Sequence, residues 1–288
     1  MSEPGASTSQ PTAFGTEPAF AELPLGEFDP DPRAMIEPSV HLGADWTERP
    51  DVPAVGVACF FGDAVRRIAR EYDARLVTHL VGEHGRHAIY EIEHRGTRLA
   101  FYQAGLGSPL AAALLEEVID YGCRTLVACG GCGALDASLA LGHVVVVNEA
   151  VRDEGTSYHY LPASRTVAAD PDAVEVLQQV LTDAEVPHVT GPTWTTDAVF
   201  RETRAKVARR REEGCLVVEM EASALLAVAS FRGARFGQLL YAGDTLAGEE
   251  WDHRDWMGAH DVREQIFWLA ADAAVALAAR RGVADGRR

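Results

Sequence analysis

One short stretch restricts the fold more than any other. The run Leu216-Val217-Val218 reads as a buried strand, and residues 222–230, rich in Ala and Leu, read as a packed helix. Between them stand Glu219 and Glu221, with Met220 separating them. On an extended chain, alternation puts both glutamates on one face and Met220 on the other. Carboxylates are almost never buried without partners, so this pair must face water, a cation, hydroxyls or a base. An acid at the carboxyl end of a strand in an α/β sheet stands where such sheets bind ligands. The plain alternative puts Glu221 in the first turn of the helix, where the dipole favours it.

The rest of the chain alternates strand and helix signals. Residues 55–60, 77–80, 88–92, 98–102, 125–129, 144–147 and 237–242 read as strands, and 189–196 as an extended segment. Gly62-Asp63 turns into a helix carrying Arg66 and Arg67. Ser108-Pro109 and Asp170-Pro171 are helix starts, each a cap residue followed by Pro at the first helical position. A basic helix is expected over 201–211 and a closing helix over 259–281. Alternation of this kind implies a single-domain, three-layer α/β/α sandwich around a mixed central sheet. Residues 1–38, rich in Ser, Thr, Pro and acids without periodicity, read as a disordered tail, leaving 39–288 as the folded domain.

Composition narrows the partners. The formal net charge is −17, from 26 basic and 43 acidic residues. So acidic a surface repels phosphate backbones and anionic lipid, which argues against nucleic acid and membranes. No apolar run approaches the ~20 residues of a membrane span. Five cysteines in a chain of 288 residues do not suggest a disulfide framework, and no secretory signal opens the chain. The expected setting is the reducing cytoplasm.

Several clusters carry chemistry. Cys129-Gly130-Gly131-Cys132-Gly133 reads as a glycine-rich turn after a strand, and its glycines let backbone N–H groups approach an anion or a sugar. It lacks the Gly-Lys-Ser/Thr of a P-loop, and a single Cys-x-x-Cys pair is a weak redox or zinc signal. Gly62 and Arg66 place a guanidinium one helical turn beyond a helix start, which suits phosphate, although an exposed Arg on a helix is ordinary. Asp244 closes an apolar strand and suits either a general acid or a helix cap. The polar, aromatic stretches 151–160 and 194–203 read as recognition loops, with Trp194 equally suited to stacking or to the core. Arg254 is placed to polarise Asp244.

Together these residues resemble the nucleoside phosphorylase family that includes uridine phosphorylase and the hexameric purine nucleoside phosphorylases, from His41 to the last helix. The Val-Glu-Met-Glu-Ala run is the most specific part. The resemblance implies that Glu221 holds the ribose 2′- and 3′-hydroxyls with Met220 against the sugar. His41 would reach a neighbouring subunit's ribose. It implies a phosphate site at Gly62, Arg66 and Gly131, with Arg86 near the position of a second, cross-subunit arginine. The base would lie among Tyr160, Phe200, Val218 and Glu219, and Asp244 would protonate it as it leaves. No metal or organic cofactor is implied; phosphate is the co-substrate. A homo-oligomer, dimer or trimer of dimers, would share its active sites. Two departures stand out: Ala128 and Gly131 occupy positions where the family carries an Arg and a Ser or Thr for phosphate. They motivate two alternatives, a nucleoside hydrolase on the same scaffold and a nucleoside-binding protein without turnover. The base is a purine or a pyrimidine: Asp244, and the lack of a recognisable uracil-gripping Gln and Arg around 199–203, tilt it slightly toward purine, whereas 151–160 looks more like the uridine enzymes.

Overall fold

The computed structural model describes residues 23–40 and 49–280. Ten strands and six helices follow in the order β1 (Val55–Cys59), α1 (Gly62–Glu71), β2 (Arg75–Gly82), β3 (Gly85–His94), β4 (Thr97–Gln103), α2 (Ser108–Asp120), β5 (Thr125–Ala134), β6 (Val144–Asp153), β7 (Thr166–Ala168), α3 (Pro171–Asp183), β8 (His188–Thr196), α4 (Arg204–Glu212), β9 (Val217–Glu219), α5 (Ala222–Arg232), β10 (Arg235–Thr245) and α6 (His260–Ala279). The strands form one mixed sheet. Its two apolar faces are covered separately. One core packs α2 and α5 against Ala58, Leu126, Ala128 and Leu240. The other packs α1, α3 and α6 against Val57, Val127, Val146 and Leu239. This is the expected three-layer sandwich.

The sheet departs from an open layer at one end. β10 pairs with β5 in parallel and with β6 antiparallel, so β5, β10, β6, β8 and β9 close into a ring. β1, β4, β3 and β2 extend from β5 as a flat wing. β5 achieves this by changing neighbours. Its first half pairs with β1, and Gly133 and Ala134 pair with β9 instead. The glycine-rich run is therefore strand, not the expected turn. A Cβ on Gly133 would lie 2.7 Å from Leu246 and 3.1 Å from Val218, so only glycine lets these neighbours close in.

One of the two expected helix starts differs. Gly107, at φ 85°, precedes α2 as its cap residue, and the Ser108 hydroxyl is spent elsewhere. Asp170 does cap α3, accepting the Asp172 N–H at 2.9 Å. Part of the expected tail lies against the body: Arg232 donates to the Pro32 carbonyl at 2.8 Å. Residues 1–22 and 41–48, with His41, lie outside the described residues.

Candidate active site

The site grows from the turn between β9 and α5. Glu219 is buried, and its carboxylate turns back on the chain that follows. Oε1 accepts the Thr195 hydroxyl at 2.6 Å, and Oε2 accepts the N–H groups of Glu221 and Ala222, both at 2.7 Å. It thereby satisfies backbone donors that the start of α5 would leave orphaned. Glu221 faces the other way. Its Oε1 accepts the Gly107 N–H at 2.6 Å, and the Ser108 hydroxyl donates to the Met220 carbonyl at 2.7 Å. The N-termini of α2 and α5 thus converge on this turn, and each receives a carboxylate. The helix-cap reading proposed for Glu221 belongs to Glu219. The expected sharing of one face by the two glutamates fails, because the chain leaves the extended conformation at Glu221, with φ −139° and ψ −28°.

A polar network backs the turn. The Thr195 hydroxyl also accepts the Ser223 N–H at 3.0 Å, and the Ser223 hydroxyl donates to Glu154 Oε1 at 2.9 Å. Glu154 accepts from the Ser157 N–H and hydroxyl, and Arg152 Nε donates to that hydroxyl at 2.8 Å. Burial first, and then mutual repulsion, lifts Glu221 above the usual carboxylate range, and burial lifts Glu219. Glu219, with its fixed donors, holds the negative charge, and Glu221 is the readier to take a proton. Glu221 keeps acceptor capacity beyond its Gly107 bond, which is what a pair of vicinal hydroxyls needs.

Asp244 stands across β5 from this turn. Gly133 pairs with Val218 on one side, and on the other a Cβ at Gly133 would lie 3.5 Å from Asp244 Oδ1. β9, which carries Glu219 into the turn, and β10, which carries Asp244, therefore flank one floor, the glycine run of β5. Cys132 lies between them. Burial first, then the charges of Glu219 and Asp244, push its thiol well above its usual range. Asp244 ends a strand and caps no helix. Its Oδ2 accepts the Trp251 indole N–H at 2.6 Å. Arg254, expected to polarise it, instead donates to the Leu139 carbonyl at 2.7 Å.

The loop from β8 to α4 spans the rim between the acids. Asp197 influences Glu221 at one end, and Glu202 lies near Asp244 at the other. Burial, with the Asp244 charge behind it, pushes the Glu202 carboxyl up to about 7, against the pull of Lys206. Glu202 and Trp251 were not singled out from sequence, although both fall in stretches whose acids and aromatics mark them as loops.

The remaining expected residues divide. Gly62 opens α1 beneath the Gln103 amide, and Arg66 stands exposed one turn on, with no ion pair among the described residues. Gly131 sits on β5 against the Tyr241 ring. Phe200 is 97% exposed at the rim. Others stand apart from the turn or spend their side chains elsewhere. Glu219 spends its carboxylate inside the fold, and Val218 and Trp194 pack in a small core with Leu135 and Val151. Tyr160 stacks edge-on with Phe231 at the far end of α5 and lines a separate hollow of about 620 Å³. Arg86 sits on the outer wing beside His79, three strands from β5. Ala128 is wholly buried beside Ala58 and Gln238, so no cation reaches the cleft from that position. Cys129 and Cys132 point to opposite faces of β5, so they do not form a pair.

Comparisons with known proteins agree with this fold. A guanosine phosphorylase of Halorubrum lacusprofundi is 31% identical over 185 residues, covering 64% of this chain and 77% of its own. A uridine phosphorylase of Treponema pallidum is 27% identical over 173 residues, covering 56% and 67%. Among solved structures, purine nucleoside phosphorylase of Toxoplasma gondii in complex with immucillin-H superposes with a TM-score of 0.68 at 19% identity, covering 79% of this chain and 92% of that one. Uridine phosphorylase of Vibrio fischeri gives 0.66 at 21%, covering 80% and 93%. The family model of the phosphorylase superfamily matches residues 54–278, and the chain belongs to that superfamily.

Proposed function

We propose that this protein is a nucleoside phosphorylase that cleaves the N-glycosidic bond of a purine nucleoside with inorganic phosphate, giving free base and pentose 1-phosphate. The observation that carries the reading is that β9, which leads into the Glu221 turn, and Asp244 near the end of β10 stand on opposite sides of one floor, the glycine run of β5. Glu221 holds the sugar hydroxyls, with Met220 beside the ring. As the glycosidic bond lengthens, its electron pair passes to the base, and Asp244 gives a proton to the base nitrogen so that no bare anion departs. A phosphate oxygen then bonds to the anomeric carbon. Arg66, free of ion pairs and one turn into α1, supports the anion where the helix N-terminus also favours it. The reaction asks for no cofactor beyond phosphate as co-substrate.

The purine assignment is supported by Asp244 and by Glu202 beside it, and by a relative named for guanosine. Arg86 stands too far out on the wing to serve its own cleft, which favours a homo-oligomer whose neighbours complete each site. No helix among the described residues is long and apolar enough to cross a membrane, and we place the enzyme in the cytoplasm. The test is incubation with guanosine, inosine, adenosine and uridine, with and without phosphate, identifying the sugar product. Pentose 1-phosphate formed only with phosphate supports the reading. Free ribose at an equal rate without phosphate sinks it and moves the hydrolase alternative forward.

A further inference from the structure

The loop between β10 and α6 places one side chain where the reaction needs it. Thr245 and Asp252 exchange both backbone hydrogen bonds, at 2.9 and 3.0 Å, folding the chain back on the end of β10. Asp252 Oδ1 then accepts the Arg254 N–H at 2.9 Å, and the Arg254 guanidinium is anchored on the Leu139 carbonyl. Trp251 is thereby carried alongside Asp244, within the reach of a diagonal cross-strand pair. Its ring is 61% exposed, so packing alone does not explain its place. Its one polar atom is spent on Asp244 Oδ2, at 2.6 Å.

We propose that Trp251 is a positioning residue that fixes which oxygen of Asp244 delivers the proton to the departing base. An indole N–H is a donor only, so the oxygen it meets must accept. Oδ2 is thereby committed as an acceptor, and Oδ1 is the oxygen left to hand a proton to the base. Oδ1 is the oxygen that lies over Gly133, the β5 residue paired with β9 where that strand leads into the turn. Trp251 thus does for Asp244 what Arg254 was expected to do, with a neutral donor in place of a cation. The assignment rests on the nucleoside reading above and adds a named residue to it.

The test compares two substrates in Trp251→Phe, which keeps the ring and removes the N–H. With guanosine and phosphate, kcat falls about tenfold while KM moves less than about twofold, as expected for loss of one bond to a charged group. With N7-methylguanosine, whose base is already cationic and needs no proton to leave, Trp251→Phe matches the wild type. Trp251→His, which restores a ring N–H, recovers part of the guanosine rate. Equal slowing on both substrates, or no slowing on guanosine, overturns the inference, since the first marks a merely structural residue and the second an idle one. A wild type inert toward both nucleosides overturns the phosphorolysis reading itself, and the role of Trp251 falls with it.

Discussion

The two acids of the cleft are held in opposite ways. Glu221 sits in a turn where two helices begin, backed by Glu219, Thr195, Ser223 and Glu154, all buried. Asp244 is half-buried and meets a loop whose Trp251 is exposed, across from a rim that carries the fully exposed Phe200. The side we propose for the sugar is built into secondary structure, and the side we propose for the base is hung from loops. Rigid elements fix a geometry common to every substrate, whereas loops vary at small cost to the fold. This contrast is consistent with relatives named as guanosine, uridine and purine nucleoside phosphorylases.

The sharpest break in that contrast comes from Asp244→Asn. It should cut kcat for guanosine by about a hundredfold to ten-thousandfold with little change in melting temperature, read by base release and calorimetry. Glu221→Ala should lower kcat/KM by about a hundredfold through both KM and kcat, because the sugar hydroxyls lose their buried acceptor. If Glu221→Ala leaves KM untouched, the sugar side has been misplaced. Next, Glu219→Gln replaces an acceptor by an amide that presents a donor to the N–H groups of Glu221 and Ala222. It should destabilise the fold by about 1–3 kcal/mol in denaturant titration. Equal stability would show that the turn is less tightly built than its hydrogen bonds imply.

The pH dependence follows from the direction of the Glu221 shift. Its carboxyl is raised, so the ionised form that accepts sugar hydroxyls is lost as pH falls through the neutral range. KM for the nucleoside should therefore rise several-fold, by about 1 kcal/mol or less, between pH 8 and pH 6. Steady-state kinetics across that range, with phosphate saturating, would show it; a KM that improves toward acid contradicts the sign. The smallest effect is expected from Phe200→Ala. It should leave stability within about 0.5 kcal/mol, as befits an exposed side chain, and shift KM among bases rather than kcat.

Legibility from the sequence followed the same division. The sandwich, the β9–α5 junction and the Asp170 cap are written in local patterns of two and 3.6 residues, and they were read correctly. The glycine run of β5 was read as a turn because composition alone cannot tell a glycine that bends a chain from one that admits a neighbour. Gly133 is the second kind, and its reason lies in Leu246 and Val218, distant in sequence. Glu219 and Glu221 look alike along the chain, and only the helix each meets separates their tasks. Trp251 is in reach of Asp244 only because Thr245 and Asp252 pair, a contact with no signature in residue spacing. Tyr160 was expected by position in a motif, yet its ring turned toward Phe231, where burial was available.

The ring of strands that closes around β10 bears on how this protein breathes. Leu239, Leu240 and Tyr241 are laddered to β5 on one side and β6 on the other. Their amide protons should be among the last to exchange with deuterated solvent, while those of 196–203 and 246–258 exchange early. Under the proposed function a substrate would then enter and leave by fluctuation of the two loops alone, and the strand that carries Asp244 need never open.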